Sequence, residues 1–265
     1  MLKDVQSQYD HRNIYLHRVG VRGVKYPIVV LDKLKGTQST ISSVNMYVDL
    51  PRNYRGTHMS RFIEVLNEYH LEINPRRIKE ILERLRDSLN ATRAVIEIEF
   101  PYFISKKAPV TGIESYLEYQ CAFNAEMYED DFDFQVVVTA PIHTLCPCSK
   151  EISDRGAHNQ RAFCTVTFQS KEMIWIESII DIIESSASAP IYTLLKRPDE
   201  KFVTELAYDN PKFVEDVARD VALKLSNYGK IEWYKVEVES DESIHLHNAY
   251  ACVLSEEMSD NIESI

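Results

Sequence analysis

Glycine is scarce in this chain, with seven residues in 265. Two phosphate cradles that depend on it are missing: neither G-x-x-x-x-G-K-[ST] nor G-x-G-x-x-G occurs. Long apolar runs are also absent, and none approaches the roughly 20 residues that cross a bilayer. The first residues, Met1–Val5, carry no apolar segment of the secretory type. A cytoplasmic protein with no membrane partner is therefore expected. A basic excess is missing too. Thirty Lys and Arg face 41 Asp and Glu, for a formal net charge of −11, the wrong sign for a general nucleic-acid binder. A pocket in an acidic protein can still be locally basic, so a phosphorylated small molecule stays open. The five cysteines, Cys121, Cys146, Cys148, Cys164 and Cys252, are odd in number and scattered. They do not form a disulfide framework and are expected as reduced thiols.

What is present is an ordinary globular composition, 45% hydrophobic and 27% charged, in a chain long enough to bury a core. The pattern runs twice through one plan. In the first pass, Pro27–Leu31 is a short apolar strand. Val44–Leu50 alternates apolar and polar residues as a half-buried strand does. Helices are expected over 60–70 and 74–90, the second opened by Pro75 and striped by Ile78, Ile81, Leu82 and Leu85. Strands follow at 93–100 and 114–127. After the acidic Glu129–Asp131, strands are expected at 134–140 and 160–170. Helices over 174–186 and 211–228 come next, the latter starting at Pro211 and stopping at Gly229. Strands at 232–240 and 243–254 complete the pass. Strand, strand, helix, helix, strand, strand thus appears twice, with a seam near 128–132. The fold class is α+β, antiparallel sheets with helices layered on one side. The expected units are 1–130 with an N-terminal arm and 131–265.

The chemistry concentrates in Leu145-Cys146-Pro147-Cys148-Ser149, followed ten residues after Cys148 by His158 in Arg155–Arg161. Thiolate and imidazole are preferred ligands of a borderline-soft divalent metal. A thiol near a base or metal is also a proton donor or nucleophile. The competing reading is two small buried hydrophobes at a strand end, where Pro147 has no N–H to give. His158 argues against it, because Gly156 and Asn159 make its loop polar. Cysteine and histidine leave a metal short of ligands, and a carboxylate is the expected third.

Several other residues are locally ambiguous. Glu200 lies in the charged stretch Lys196–Lys201, which reads as a solvated loop between two helical segments. Glu215 lies in the first turn of the 211–228 helix, where the helix dipole alone accounts for a carboxylate. Glu242 opens Glu242–Asn248, in which His245 and His247 would share a strand face. Such a pair can bind metal, serve as acid and base, or simply pair across a sheet. Arg52, Arg55, His58, Arg61, Arg155 and Arg161 are candidate phosphate contacts, although most arginines only make weak surface pairs.

Taken together, these segments resemble the type IB GTP cyclohydrolases, a prokaryotic family distinct in sequence from the type IA enzyme. The likeness rests on Asp4–Gln8 with Asp10-His11-Arg12, on Gly56–Phe62, on Cys146–Lys150 and on Gly156–Arg161. It continues through Pro211–Glu215 and Ser243-Ile244-His245 with His247-Asn248-Ala249, and so covers nearly the whole chain. The resemblance implies a bimodular tunnelling fold of two ββααββ units, assembled as a homo-oligomer, a homotetramer, with active sites at subunit interfaces. It implies hydrolysis of GTP to formate and 7,8-dihydroneopterin triphosphate, the first step of tetrahydrofolate biosynthesis. A divalent metal, manganese, iron or zinc, is implied with it.

By the same resemblance, Cys146, His158 and Glu200 are metal ligands, and Cys148 is a catalytic thiol. Glu215 anchors the purine, His245 is a catalytic imidazole, and Glu242 is a further ligand or metal-adjacent base. Three rival readings follow different chemistry. An archaeal-type cyclohydrolase would give a cyclic phosphate product. A tunnelling-fold nitrile reductase would need NADPH and a thioimide-forming cysteine. A structural metal protein would have a closed site of four protein ligands.

Overall fold

The computed structural model describes residues 5–6, 8–69 and 73–255. The chain forms two compact units, Met1–Pro101 with Ala122–Val136, and Tyr102–Cys121 with Val137–Ile265.

The first unit opens with a long antiparallel hairpin, β1 (Leu16–Asp32) and β2 (Gly36–Leu50), paired from Leu16 opposite Leu50 to Asp32 opposite Gly36 with register shifts between Leu16 and Val19 and between Val21 and Val24. The turn is built by Asp32, whose Oδ1 accepts the N–H groups of Leu34 (2.9 Å) and Lys35 (2.7 Å). Gly36, at φ +82°, completes it. Both strands extend well beyond the expected 27–31 and 44–50. Their outer halves carry polar or charged residues such as Arg22, Lys25, Thr37 and Ser39, and these conceal the alternation. Helices α1 (Met59–Tyr69) and α2 (Pro75–Leu89) fall where the periodicity places them. They pack on each other and against the hairpin; Phe62, Leu66, Ile78, Ile81, Leu82 and Leu85 are buried, as are Val44, Met46 and Val48 of β2. β3 (Arg93–Lys107) and β4 (Glu114–Tyr128) close the first pass. The N-terminal segment is pinned here as well: Gly56 N–H donates to Gln6 O (3.2 Å) and Arg55 N–H to Gln8 O (3.1 Å).

The second pass contains β5 (Asp131–Leu145), α3 (Pro147–Ile152), β6 (Asn159–Ser170), α4 (Ile176–Glu184) and the short β7 (Ala189–Pro190). It ends with α5 (Arg197–Asp209), α6 (Val214–Ser226), β8 (Ile231–Ser240) and β9 (Ala249–Leu254). In the second unit α6 packs on β8, β9 and α4, and Val217, Val221 and Leu225 are buried there. In the first unit β1 pairs with β2 and β2 with β3, and in the second β5 pairs with β7, β6 with β8 and β8 with β9, all antiparallel. The element order is therefore a repeated ββααββ with α3, β7 and one extra helix inserted in the second copy.

Three local expectations are corrected. Lys196–Lys201 is the start of helix α5 and not a loop. Its cap is Asp199, a residue with no exposed surface, whose Oδ2 accepts Lys196 N–H (2.9 Å) and whose Oδ1 accepts Val110 and Thr111 N–H (2.9 and 2.8 Å). The last helix begins at Val214 rather than Pro211, because Asp216 caps it by accepting Phe213 N–H at 3.0 Å. Residues 243–248 form exposed bends, and the final strand starts only at Ala249. Among the described residues, no helix is long and apolar enough to cross a membrane.

Candidate active site

The site is assembled at the end of the β5–β6 hairpin, inside the second unit. β5 stops at Leu145 because Pro147, with its fixed φ and missing N–H, suits the first turn of α3 instead. Cys146 caps that turn, its Sγ accepting Ser149 N–H at 3.4 Å. The loop that follows is closed by a short circuit of bonds. Cys146 N–H donates to His158 O (3.1 Å), the Ser149 hydroxyl donates to Cys146 O (3.1 Å), and His158 N–H donates to Ser149 Oγ (3.1 Å). The backbones of Cys146 and His158, at the two ends of the β5–β6 connection, are thereby bonded to each other.

A cleft of about 220 Å³ lies over this corner. Thr144, Cys146, His158 and Gln160 line it from the hairpin, and Lys212, Phe213, Val214 and Glu215 from the start of α6. Glu242, His245, His247 and Ala249 line it from the β8–β9 connection. The α6 start is fixed in place: Lys212 N–H donates to Leu145 O (3.0 Å), and its ammonium to Ser186 O (2.9 Å) and Asp220 Oδ2 (2.6 Å). The imidazole of His158 and the carboxylate of Glu242 are mostly buried, with side chains 14% and 11% exposed. His158 Nδ1 lies 2.9 Å from Gln160 Oε1. Glu242 Oε1 accepts the Ser240 hydroxyl (2.8 Å) and Gln160 Nε2 (3.2 Å). His245 and His247 stack at 5.0 Å between ring centroids, even though they sit on an exposed bend and not on a strand.

The other thiols separate by environment. Cys121 and Cys164 are buried in the sheet, and burial pushes Cys121 up strongly and Cys164 up to about 12. Both are thereby held as protonated core residues. Cys148 is exposed on α3 and does not line the cleft. Among the described residues, Cys146 is the only cysteine lining it.

Residues 2–251 match the family described as type I GTP cyclohydrolase folE2. The chain belongs to that family. A protein named GTP cyclohydrolase FolE2 from Fervidobacterium nodosum is 74% identical over 97% of this chain and 99% of its own length. One of the same name from Thermosipho africanus is 61% identical over 97% and 99%. One from Pseudothermotoga lettingae is 60% identical over 96% and 99%. Among solved structures, uricase from Arthrobacter globiformis aligns with a TM-score of 0.52 at 6% identity, covering 91% of this chain and 94% of that one. Urate oxidase from Bacillus sp. TB-90 aligns with a TM-score of 0.53 at 9% identity, covering 91% and 99%. At such identities the likeness concerns the fold alone, the tunnelling fold.

Of the site residues the family resemblance implies, Cys146, His158, Glu215, Glu242 and His245 are brought to one cleft. Glu200 and Cys148 are not among its lining residues. Glu200 is exposed on the first turn of α5, yet its placement is not arbitrary. It shares a helix face with Val203 and Ala207, and these pack with Leu145 and Ala157, the immediate neighbours of Cys146 and His158. Among the described residues, no three His, Cys, Asp or Glu side chains already form an ion cage. The donor chemistry nonetheless suits a divalent cation, with one sulfur and one imidazole on the same wall and a buried carboxylate close behind. Of the candidate phosphate contacts, His58 and Arg61 line a separate cavity in the first unit with Tyr54 and Thr57. Gln160, Ser240 and Lys212 received no role from sequence. Gln160 lies within Gly156–Arg161, but nothing in its spacing marks an amide as a bridge.

Proposed function

We propose that this chain hydrolyses GTP at C8 of the guanine ring, releasing formate and forming 7,8-dihydroneopterin triphosphate. The observation that carries the reading is the convergence of Cys146, His158, Glu242 and Glu215 on one cleft, in a chain of the type I GTP cyclohydrolase family.

Cys146 and His158 would hold a divalent manganese, iron or zinc ion, with a carboxylate from Glu200 or Glu242 as third ligand. Such an ion acts as a Lewis acid and lowers the pKa of water toward neutrality, which makes a nucleophile able to attack C8. The remaining work falls to the chain. Glu215, at the mouth of α6, presents two oxygens that would accept hydrogen bonds from the guanine N1–H and 2-amino group. Adenine lacks both donors and would leave the carboxylate unsatisfied. Attack at C8 places charge on the ring nitrogens, and His245 on the cleft rim is the proposed proton donor. Cys148, the second residue of α3, is the second candidate.

We further propose a cytoplasmic homotetramer with active sites at subunit interfaces. β1 pairs only with β2 and β9 only with β8 among the described strands, so each leaves one edge suited to pairing with another copy. Sedimentation that gives a monomer at micromolar concentration would refute the assembly.

The activity is tested by incubating the purified protein with GTP and each of the three metals, and identifying products by mass. Formate together with 7,8-dihydroneopterin triphosphate is expected. A cyclic phosphate product would assign the archaeal-type reaction instead, and unchanged GTP would refute the reading.

A further inference from the structure

The polarity of one hydrogen-bond chain can be read without seeing a single proton. Glu242 Oε1 accepts the Ser240 hydroxyl at 2.8 Å and the side-chain amide of Gln160 at 3.2 Å. A carboxylate accepts and does not donate, so the amide nitrogen of Gln160 must be the end that faces it. That fixes the other end: the amide oxygen of Gln160 faces His158 Nδ1 at 2.9 Å. A carbonyl oxygen has no hydrogen to give, so Nδ1 carries the proton. In a neutral ring the lone pair then lies on Nε2. Glu242 does not compete for Nδ1, because its nearer oxygen, Oε2, is 3.9 Å away, beyond hydrogen-bonding range. The two carboxylate oxygens are thereby made unlike, Oε1 holding both neutral donors and Oε2 holding neither.

We propose that Gln160 is the positioning residue that locks His158 as the Nδ1–H tautomer, so that Nε2 is presented as a ligand and Glu242 keeps one oxygen uncommitted. The tautomer follows from the hydrogen-bond chain alone, whereas the ligand role rests on the metal reading above. Partners of this kind orient a ligating imidazole, and their loss costs about 10–100-fold in metal affinity.

The test uses the full-length protein, metal-free and labelled with nitrogen-15 histidine, together with cobalt(II) titration. His158 is assigned by the signal lost in His158→Asn. In wild type its nitrogen-15 shifts should report Nδ1 protonated and Nε2 bare. Gln160→Leu should lose that preference and bind cobalt about 10–100-fold more weakly. Gln160→Glu, which keeps an acceptor at Nδ1, should retain the Nδ1–H signature and serves if the leucine variant does not fold. A wild-type ring protonated on Nε2 overturns the proposal outright. So does Gln160→Leu with unchanged tautomer and unchanged cobalt affinity. If wild type binds no cobalt, the metal reading falls and the ligand role with it, while the nitrogen-15 shifts still decide the tautomer.

Discussion

The backbone N–H of Cys146 donates to the carbonyl of His158 at 3.1 Å. This one bond closes the loop between the Cys-Pro-Cys segment and His158 into a single corner, with Ser149 bonded to both backbones. Both residues thus enter the cleft from one short connection. In the proposed metal site, only the third ligand would have to come from another element.

The first prediction concerns that ligand set. Cobalt(II) bound through Cys146 should show a thiolate-to-cobalt charge-transfer band. Cys146→Ser should abolish the band, and Cys148→Ser should keep it while losing turnover. Of Glu200→Gln and Glu242→Gln, the variant that removes the third ligand should weaken cobalt binding most. A band that survives Cys146→Ser would remove Cys146 from the set.

How much of this was readable in advance follows from the residues. Helices α1 and α2 were legible because Phe62, Ile78, Ile81, Leu82 and Leu85 mark their buried faces. The long hairpin was only half legible, since its outer ends expose Arg22 and Lys25. Helix α5 was concealed because its first turn is entirely charged or proline, and its apolar face is reduced to Val203 and Ala207. Pro198 and Asp199 in the first turn are the signal that would have revealed it. Cys146 and His158 could be chosen from sequence because their chemistry is rare. Gln160 could not, because its role exists only through the two residues it bridges.

The second prediction addresses base recognition. Glu215→Gln should lower kcat/KM for GTP by roughly 100-fold, the scale of one buried charged hydrogen-bond pair lost. Inosine triphosphate lacks the 2-amino donor, so the same substitution should cost it less. Equal losses for both nucleotides would place Glu215 elsewhere than on the guanine edge.

A third prediction concerns acid stability. Burial raises the Asp199 carboxyl, but hydrogen bonds from Thr111, Lys196 and Val110 outweigh it and hold the group down at about 2. The folded state therefore stays ionised to lower pH than the unfolded chain. The stabilisation is fully present above about pH 4 and is lost as pH falls towards 2. Asp199→Asn should melt lower than wild type at neutral pH, and calorimetry should find the gap closing across that window. A gap independent of pH would contradict the assignment.

The fourth prediction lies in the first unit. A Cβ on Gly20 would stand 1.9 Å from the carbonyl oxygen of Met46 on β2, so the strands could not keep their register. Gly20→Ala should destabilise by about 1–3 kcal/mol, read as a lower urea midpoint at unchanged slope. An unchanged midpoint would show that the hairpin yields freely there.

The most direct measurement is to strip the protein of metal, add back manganese in steps, and follow formate release from GTP alongside bound metal. The account predicts no formate from the stripped protein, a rise in step with occupancy, and no recovery in Cys146→Ser or His158→Asn. Full turnover by the stripped protein, or recovery in either variant, would contradict it.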